Sequence, residues 1–306
     1  MSKRSISNIA EVNGIRLHYM DYPGNGPVML MAHSLSGNSL IFQGLIEAGL
    51  SPAYRVISPD FRGRGLSDKP TGGYDLENQS QDILQLLDQL GIEKVIVCGH
   101  SFGGLWGVHF AYHHPERVER LILLDVAQRL NPLTPWLVNM STGRLLRTYP
   151  SWQHYEALMR HAPFVPKWDD TMIHFLRADA EILPDGTVKP RTAWLDSAKG
   201  GAAISSINDR EWGHFFRHIE QPTLLVQARQ PFVYGQYIVP EEEFVRTTAI
   251  MPRGSHIQVD GNHITMLFGE GARQIVDALT IVVPKSEVSR PTARPAAMAK
   301  ELEPAE

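Results

Sequence analysis

A single cysteine, Cys98, in a chain of 306 residues leaves no internal disulfide to hold the fold. Its place inside an apolar run marks it as a small core residue rather than a reactive thiol. No apolar run approaches the roughly 18 residues that a membrane-spanning helix needs. The opening Met1-Ser2-Lys3-Arg4-Ser5 is positively charged, but Ser7, Asn8 and Glu11 break the stretch up to Val12, which is too polar for a signal-peptide core. A cytoplasmic location is the default expectation. Net charge is only −4, and acids and bases are interspersed. No basic stripe points to nucleic acid and no polybasic segment to a membrane surface. Internal repeats are also lacking. The sequence does not fix the oligomeric state, and a homo-oligomer stays open.

What is present is a hydrophobic content of 43 %, enough for one large core. Strand-like runs at 28–32, 55–58, 95–98, 121–124 and 223–227 alternate with helix-like stretches. That alternation predicts an α/β fold with a mostly parallel, doubly wound sheet covered by helices on both faces. Ile83, Leu84, Leu86, Leu87 and Leu90 recur at helical spacing before Gly91, which predicts a helix over 77–90. The alternation breaks down from Gln128 to about His218. This segment holds five of the six tryptophans, Trp136, Trp152, Trp168, Trp194 and Trp212. The expected organisation is a core over 1–127 and 219–283 with an inserted helical cap over 128–218. After Pro284 the composition turns to Lys, Ser, Arg, Pro, Ala and Glu, so 284–306 is expected to be a disordered tail.

One motif carries chemistry. Val97-Cys98-Gly99-His100-Ser101-Phe102-Gly103-Gly104 places a serine in Gly-x-Ser-x-Gly, after a β-branched run and before a helical stretch over 105–113. A serine on a sharp strand-to-helix bend has its hydroxyl held clear of its neighbours, and the bend requires small flanking residues. Ser101 is the expected nucleophile, with the Phe102 amide directed at a developing oxyanion. A serine hydroxyl needs a base. Among 13 histidines, His263 follows the apolar run Ile257-Gln258-Val259 and the turn Asp260-Gly261-Asn262. That puts it at the carboxyl end of a late strand, where sites form in open α/β sheets. His100, His113 and His114 are read as structural.

These segments, together with His33-Ser34-Leu35-Ser36-Gly37 and Ser58-Pro59-Asp60-Phe61-Arg62-Gly63-Arg64-Gly65-Leu66-Ser67, resemble a capped serine hydrolase of the α/β-hydrolase superfamily. The resemblance covers nearly the whole chain outside the cap and tail. In most such proteins the acid that orients the histidine follows the strand that here is 223–227, yet no Asp or Glu occurs between Glu220 and Glu241. A second placement in the superfamily, after the strand that follows the nucleophile's helix, implies Asp125. Glu241, Glu242 and Glu243 are the alternatives, and a dyad without an acid comes last. The resemblance also implies oxyanion donors at the amides of Leu35 and Phe102, although Ser34 stands where glycine is usual. Asp60 and Arg62 match a turn read as structural.

The implied reaction is acyl transfer on an ester or lactone, with no cofactor and no metal. Serine at the elbow weakens the dehalogenase and epoxide hydrolase readings, because those relatives use an aspartate there. A cap rich in Trp, Met and Phe suggests a mostly apolar small-molecule substrate, with Trp194 as the first cap contact to consider. The placement of the acid and the cap also resembles lactonases acting on large fungal lactones such as zearalenone. Carbon-carbon bond hydrolysis, cofactor-free perhydrolysis and a ligand receptor with a retained triad are the alternative functions.

Overall fold

Strands apolar along their whole length are stable only where both faces of a sheet are covered, and the centre of this sheet is built that way. The computed structural model describes residues 5–282. Eight strands form one sheet: β1 (Ile6–Val12), β2 (Ile15–Tyr22), β3 (Val28–Ala32), β4 (Arg55–Pro59), β5 (Val95–His100), β6 (Val118–Leu124), β9 (Thr223–Ala228) and β10 (Gly254–Val259). Their order is β1-β2-β4-β3-β5-β6-β9-β10. The β1/β2 and β2/β4 pairs are antiparallel and every other pair is parallel. Each residue of β5 and β9 is buried.

Helices α1 (Leu76–Gln89) and α2 (Phe102–His113) follow β4 and β5. Asp75 caps α1 by accepting from the Asn78 amide, which starts the helix one residue earlier than the leucine spacing implies. Helix α2 is buried from Phe102 to Ala111, because cap helices cover the side that the sheet does not. An apolar stretch of that kind has no polar stripe to reveal its helical period.

Between β6 and β9 lie α3 (Thr134–Thr142), α4 (Trp152–Arg160), α5 (Met172–Asp179), α6 (Trp194–Ser205) and α7 (Asp209–His218). The cap is not purely helical, since β7 (Ala180–Ile182) and β8 (Val188–Pro190) pair as a small antiparallel ribbon. Helices α8 (Glu241–Ile250) and α9 (Gly269–Val282) complete the core. The expected disordered tail lies outside the described residues. Among the described residues no helix is long and apolar enough to cross a membrane.

Candidate active site

The parallel strands end on one side of the sheet, so the loops after β3, β5, β6 and β10 face one another. Ser101 sits directly after β5 at φ 55° and ψ −118°, a strained conformation for a residue with a side chain. Its neighbours explain the glycines. A Cβ on Gly99 would stand 2.3 Å from the Gly103 carbonyl oxygen, and one on Gly103 would stand 2.0 Å from that of Ala32. Strand and helix therefore meet backbone to backbone around the serine. Ser101 caps the start of α2, where first-turn amides have no partner inside the helix. Its carbonyl accepts from the amides of Gly104 and Leu105 at 2.9 and 3.1 Å, which fixes the peptide plane carrying the Phe102 N–H.

Asp125 follows β6 immediately, also at positive φ, 50°. Its Oδ2 accepts from His263 Nδ1 at 2.7 Å and its Oδ1 from the Ala228 amide at 3.0 Å, at the end of β9. Both side chains are buried. Of the acids considered from the sequence, the fold brings Asp125 to His263. Glu241, Glu242 and Glu243 occupy the first turn of α8, where negative charge complements the helix dipole, and Glu243 pairs with Arg246.

The His263 loop is fastened by two groups. Asn262 Oδ1 accepts from the amides of Ile264 and Thr265, while its Nδ2 donates to the carbonyls of Phe164 and Phe232. His100, read from the sequence as structural, donates through Nε2 to the His263 carbonyl at 2.7 Å. Burial first, and the neighbouring His263 second, hold the His100 imidazole well below its ordinary pKa, so it stays neutral.

Leu35 stands on the loop after β3. The Ser34 carbonyl, which shares a peptide plane with the Leu35 N–H, accepts from His33 Nδ1 at 2.7 Å and from the Gly37 amide at 3.0 Å. His33 Nε2 in turn accepts from the Phe61 amide at 3.0 Å. Those partners fix a neutral tautomer, and burial lowers the His33 pKa to about 4. Folding therefore prefers the unprotonated ring. This contribution is fully present above pH ~6.5, where the unfolded ring is also neutral, and declines as pH falls towards 4. On the order of 3 kcal/mol is at stake for a shift of this size. His109, also lowered by burial to about 4, titrates in the same window. Thermal unfolding at pH 7.5, 5.5 and 4.5 should show a midpoint falling steadily below pH 6.5; a flat midpoint would contradict neutral buried rings.

Ser101 lies where two cavities meet. An inner apolar chamber of about 80 Å³ is bounded by Ser34, Leu35, Ser101 and His263, with Phe164 and Phe175 from the cap among its walls. A wide cleft of about 1000 Å³ is bounded by Leu35, Ser101, Phe102 and Asp125 on the core side, and by Ile204 and Trp212 on the cap side. Trp194 borders neither of them. It begins α6, is 40 % exposed, and lines a surface groove with Leu145 and Arg147. The cap aromatics beside Ser101 are therefore not the one singled out from the sequence.

Cap residue Arg144 was not indicated by any motif. It borders the inner chamber, is buried, pairs with Asp179 at 3.1 Å, and donates to the Ser36 carbonyl at 2.8 Å. An arginine two residues before a Leu-Arg pair in a helical segment has no local signature. Its role comes entirely from the packing of the cap on the loop.

A parallel sheet that gathers a serine, a histidine and a carboxylate at its strand ends defines a class, and the sequence agrees with it. The alpha/beta hydrolase fold family matches residues 27–235, and the chain belongs to that family. It is similar to the soluble epoxide hydrolase of Corynebacterium sp. (strain C12), 36 % identical over 126 residues, covering 41 % of this chain and 43 % of that protein. It is also similar to 3-oxoadipate enol-lactonase 2 of Acinetobacter baylyi, 33 % identical over 123 residues, covering 40 % and 46 %. The chain thus spans less than half the length of these two relatives. In solved structures the same fold is found in E-2-(acetamidomethylene)succinate hydrolase, with a TM-score of 0.77 at 23 % identity over 91 % of this chain and 98 % of the other.

Proposed function

We propose that this protein is a serine hydrolase that cleaves a carboxylic ester or lactone of a mostly apolar small molecule through an acyl-enzyme. The reading is carried by the 2.7 Å bond from His263 Nδ1 to Asp125, on a histidine that borders the same chamber as Ser101. With Nδ1–H donated to the carboxylate, Nε2 is left as the proton acceptor.

In the proposed reaction His263 Nε2 takes the Ser101 hydroxyl proton as the oxygen bonds to the carbonyl carbon. The carbonyl π electrons move to oxygen, and the amides of Leu35 and Phe102 stabilise that charge. Collapse expels the alcohol oxygen, which receives the proton from His263. Water, deprotonated by the same nitrogen, then adds to the acyl carbon and releases the acid and Ser101. For a lactone the alcohol and acid remain in one product.

The apolar lining of the inner chamber and the breadth of the cleft suit a substrate with one compact apolar end and a larger remainder. A macrocyclic lactone of the zearalenone type is the specific candidate, with the ring in the cleft.

The test is hydrolysis of p-nitrophenyl esters from acetate to decanoate beside a macrocyclic lactone, with fluorophosphonate labelling and peptide mass mapping. Ester or lactone turnover and a label on Ser101 are expected. Labelling at another residue, or no turnover with any ester or lactone, would overturn the reading and shift attention to carbon-carbon bond cleavage.

A further inference from the structure

Arg64 is a buried arginine without an ion pair among the described residues. It is fully buried, whereas its neighbour Arg62 forms a forked pair with Asp82. Arg64 Nη1 donates to the Arg62 carbonyl at 2.7 Å and Nε to the Leu35 carbonyl at 3.2 Å, while Nη2 has no hydrogen-bond partner. The nearby carboxylate, Asp196 of α6, is engaged by Lys199 at 3.3 Å and acts on Arg64 as a neighbouring negative charge without a direct ion pair. Burial lowers the Arg64 pKa only to about 10, so the group remains a cation at neutral pH.

A buried cation of this kind is costly unless something nearby uses its charge. What it touches are the two residues assigned to the candidate oxyanion hole. The guanidinium carbon lies 5.3 Å from the centre of the Phe102 ring, and Nε holds the Leu35 carbonyl. Ser197 Oγ adds a long contact to the same carbonyl at 3.4 Å. The peptide before Leu35 is already fixed through the Ser34 carbonyl by His33 and Gly37. Anchoring the peptide after it leaves the Leu35 backbone with both flanking planes determined.

We propose that Arg64 is a positioning residue for the oxyanion hole: it fixes the Leu35 peptide and keeps a buried positive charge beside Leu35 and Phe102, the two residues whose amides form the hole. The inference rests on the serine-hydrolase reading above. A preorganised donor peptide with a fixed positive charge close to it acts on a transition state that develops negative charge more than on the neutral ground state. The effect should therefore appear in kcat and not in KM.

Three variants of the full chain separate charge from packing. Arg64→Met keeps much of the volume and removes the charge, and Arg64→Lys keeps the charge. In Gly200→Ala the new Cβ would stand 2.1 Å from Nη2 and 3.2 Å from Leu35 Cδ1, so it displaces the guanidinium, and crowds Leu35, while leaving Arg64 in the sequence. Initial rates on p-nitrophenyl butyrate, inhibition by an alkyl trifluoromethyl ketone, and thermal unfolding are measured for each.

Arg64→Met is expected to lose about 10- to 100-fold in kcat with KM within about twofold, and ketone affinity should fall in parallel. Arg64→Lys should recover about tenfold, and Gly200→Ala should lose kcat without a change in KM. If Arg64→Met does not fold, the Lys and Gly200→Ala variants decide by the same split. Unchanged kcat in folded variants, or a loss carried by KM alone, would overturn the proposal. A wild type that neither turns over esters nor labels at Ser101 would instead defeat the reading beneath it.

Discussion

Ser101→Ala is expected to lower kcat on any hydrolysed ester by about 10⁵- to 10⁶-fold, the scale on which removal of a covalent nucleophile acts. Fold and stability should be nearly unaffected. The substitution removes one oxygen, and the bonds that hold the elbow run through the backbone, from the Ser101 amide to the Leu124 carbonyl and from Gly104 and Leu105 back to the Ser101 carbonyl. Alanine pays no larger penalty than serine at φ 55°. Steady-state rates, unfolding curves and fluorophosphonate labelling would be compared on the same preparation. Residual turnover within a hundredfold of wild type, in a sample free of wild-type enzyme, would remove Ser101 from the chemistry.

Asp125→Asn is expected to cost about 10³- to 10⁴-fold in kcat at neutral pH, for a reason specific to this site. The Ala228 amide donates to one carboxylate oxygen and His263 Nδ1 to the other. An asparagine would keep its carbonyl on the Ala228 N–H and turn its NH₂ towards Nδ1. The histidine would then have to accept at Nδ1 and carry its proton on Nε2, where it cannot take one from serine. The Glu241→Ala, Glu242→Ala and Glu243→Ala variants serve as the comparison and should retain wild-type kcat. Loss in any of these with Asp125→Asn fully active would reassign the acid. Imidazole NMR of His263 in the asparagine variant would report the tautomer directly.

The sequence was most legible where the chemistry restricts residue choice locally. The elbow, the strands at its two sides and the late histidine could be read because glycine at 99 and 103 is a contact requirement and β-branched runs mark buried strands. Less was visible where the cause is tertiary. The β1–β2 hairpin turns at Asn13-Gly14, both at positive φ, and that dipeptide is a hairpin signal that the polar residues of the first strand obscured. The β7–β8 ribbon is too short to show a period. Trp194 was singled out on composition, which does not say which way a helix faces. The hydrogen-bonding roles of His100, Arg64 and Arg144 depend on elements distant in sequence, and no spacing encodes them.

Asn262 joins three parts of the molecule through one side chain: its own histidine loop, Phe164 of the cap, and Phe232 of the loop after β9. The cap is thereby fastened to the same residue that orders the loop of His263. Lifting the cap far enough to part Phe164 from Asn262 would take away one of the partners that hold this side chain beneath the loop of His263. For the reaction proposed above, the standing cleft between α6 and the core already reaches Ser101 with that fastening intact, so a route to the serine exists without lifting the cap.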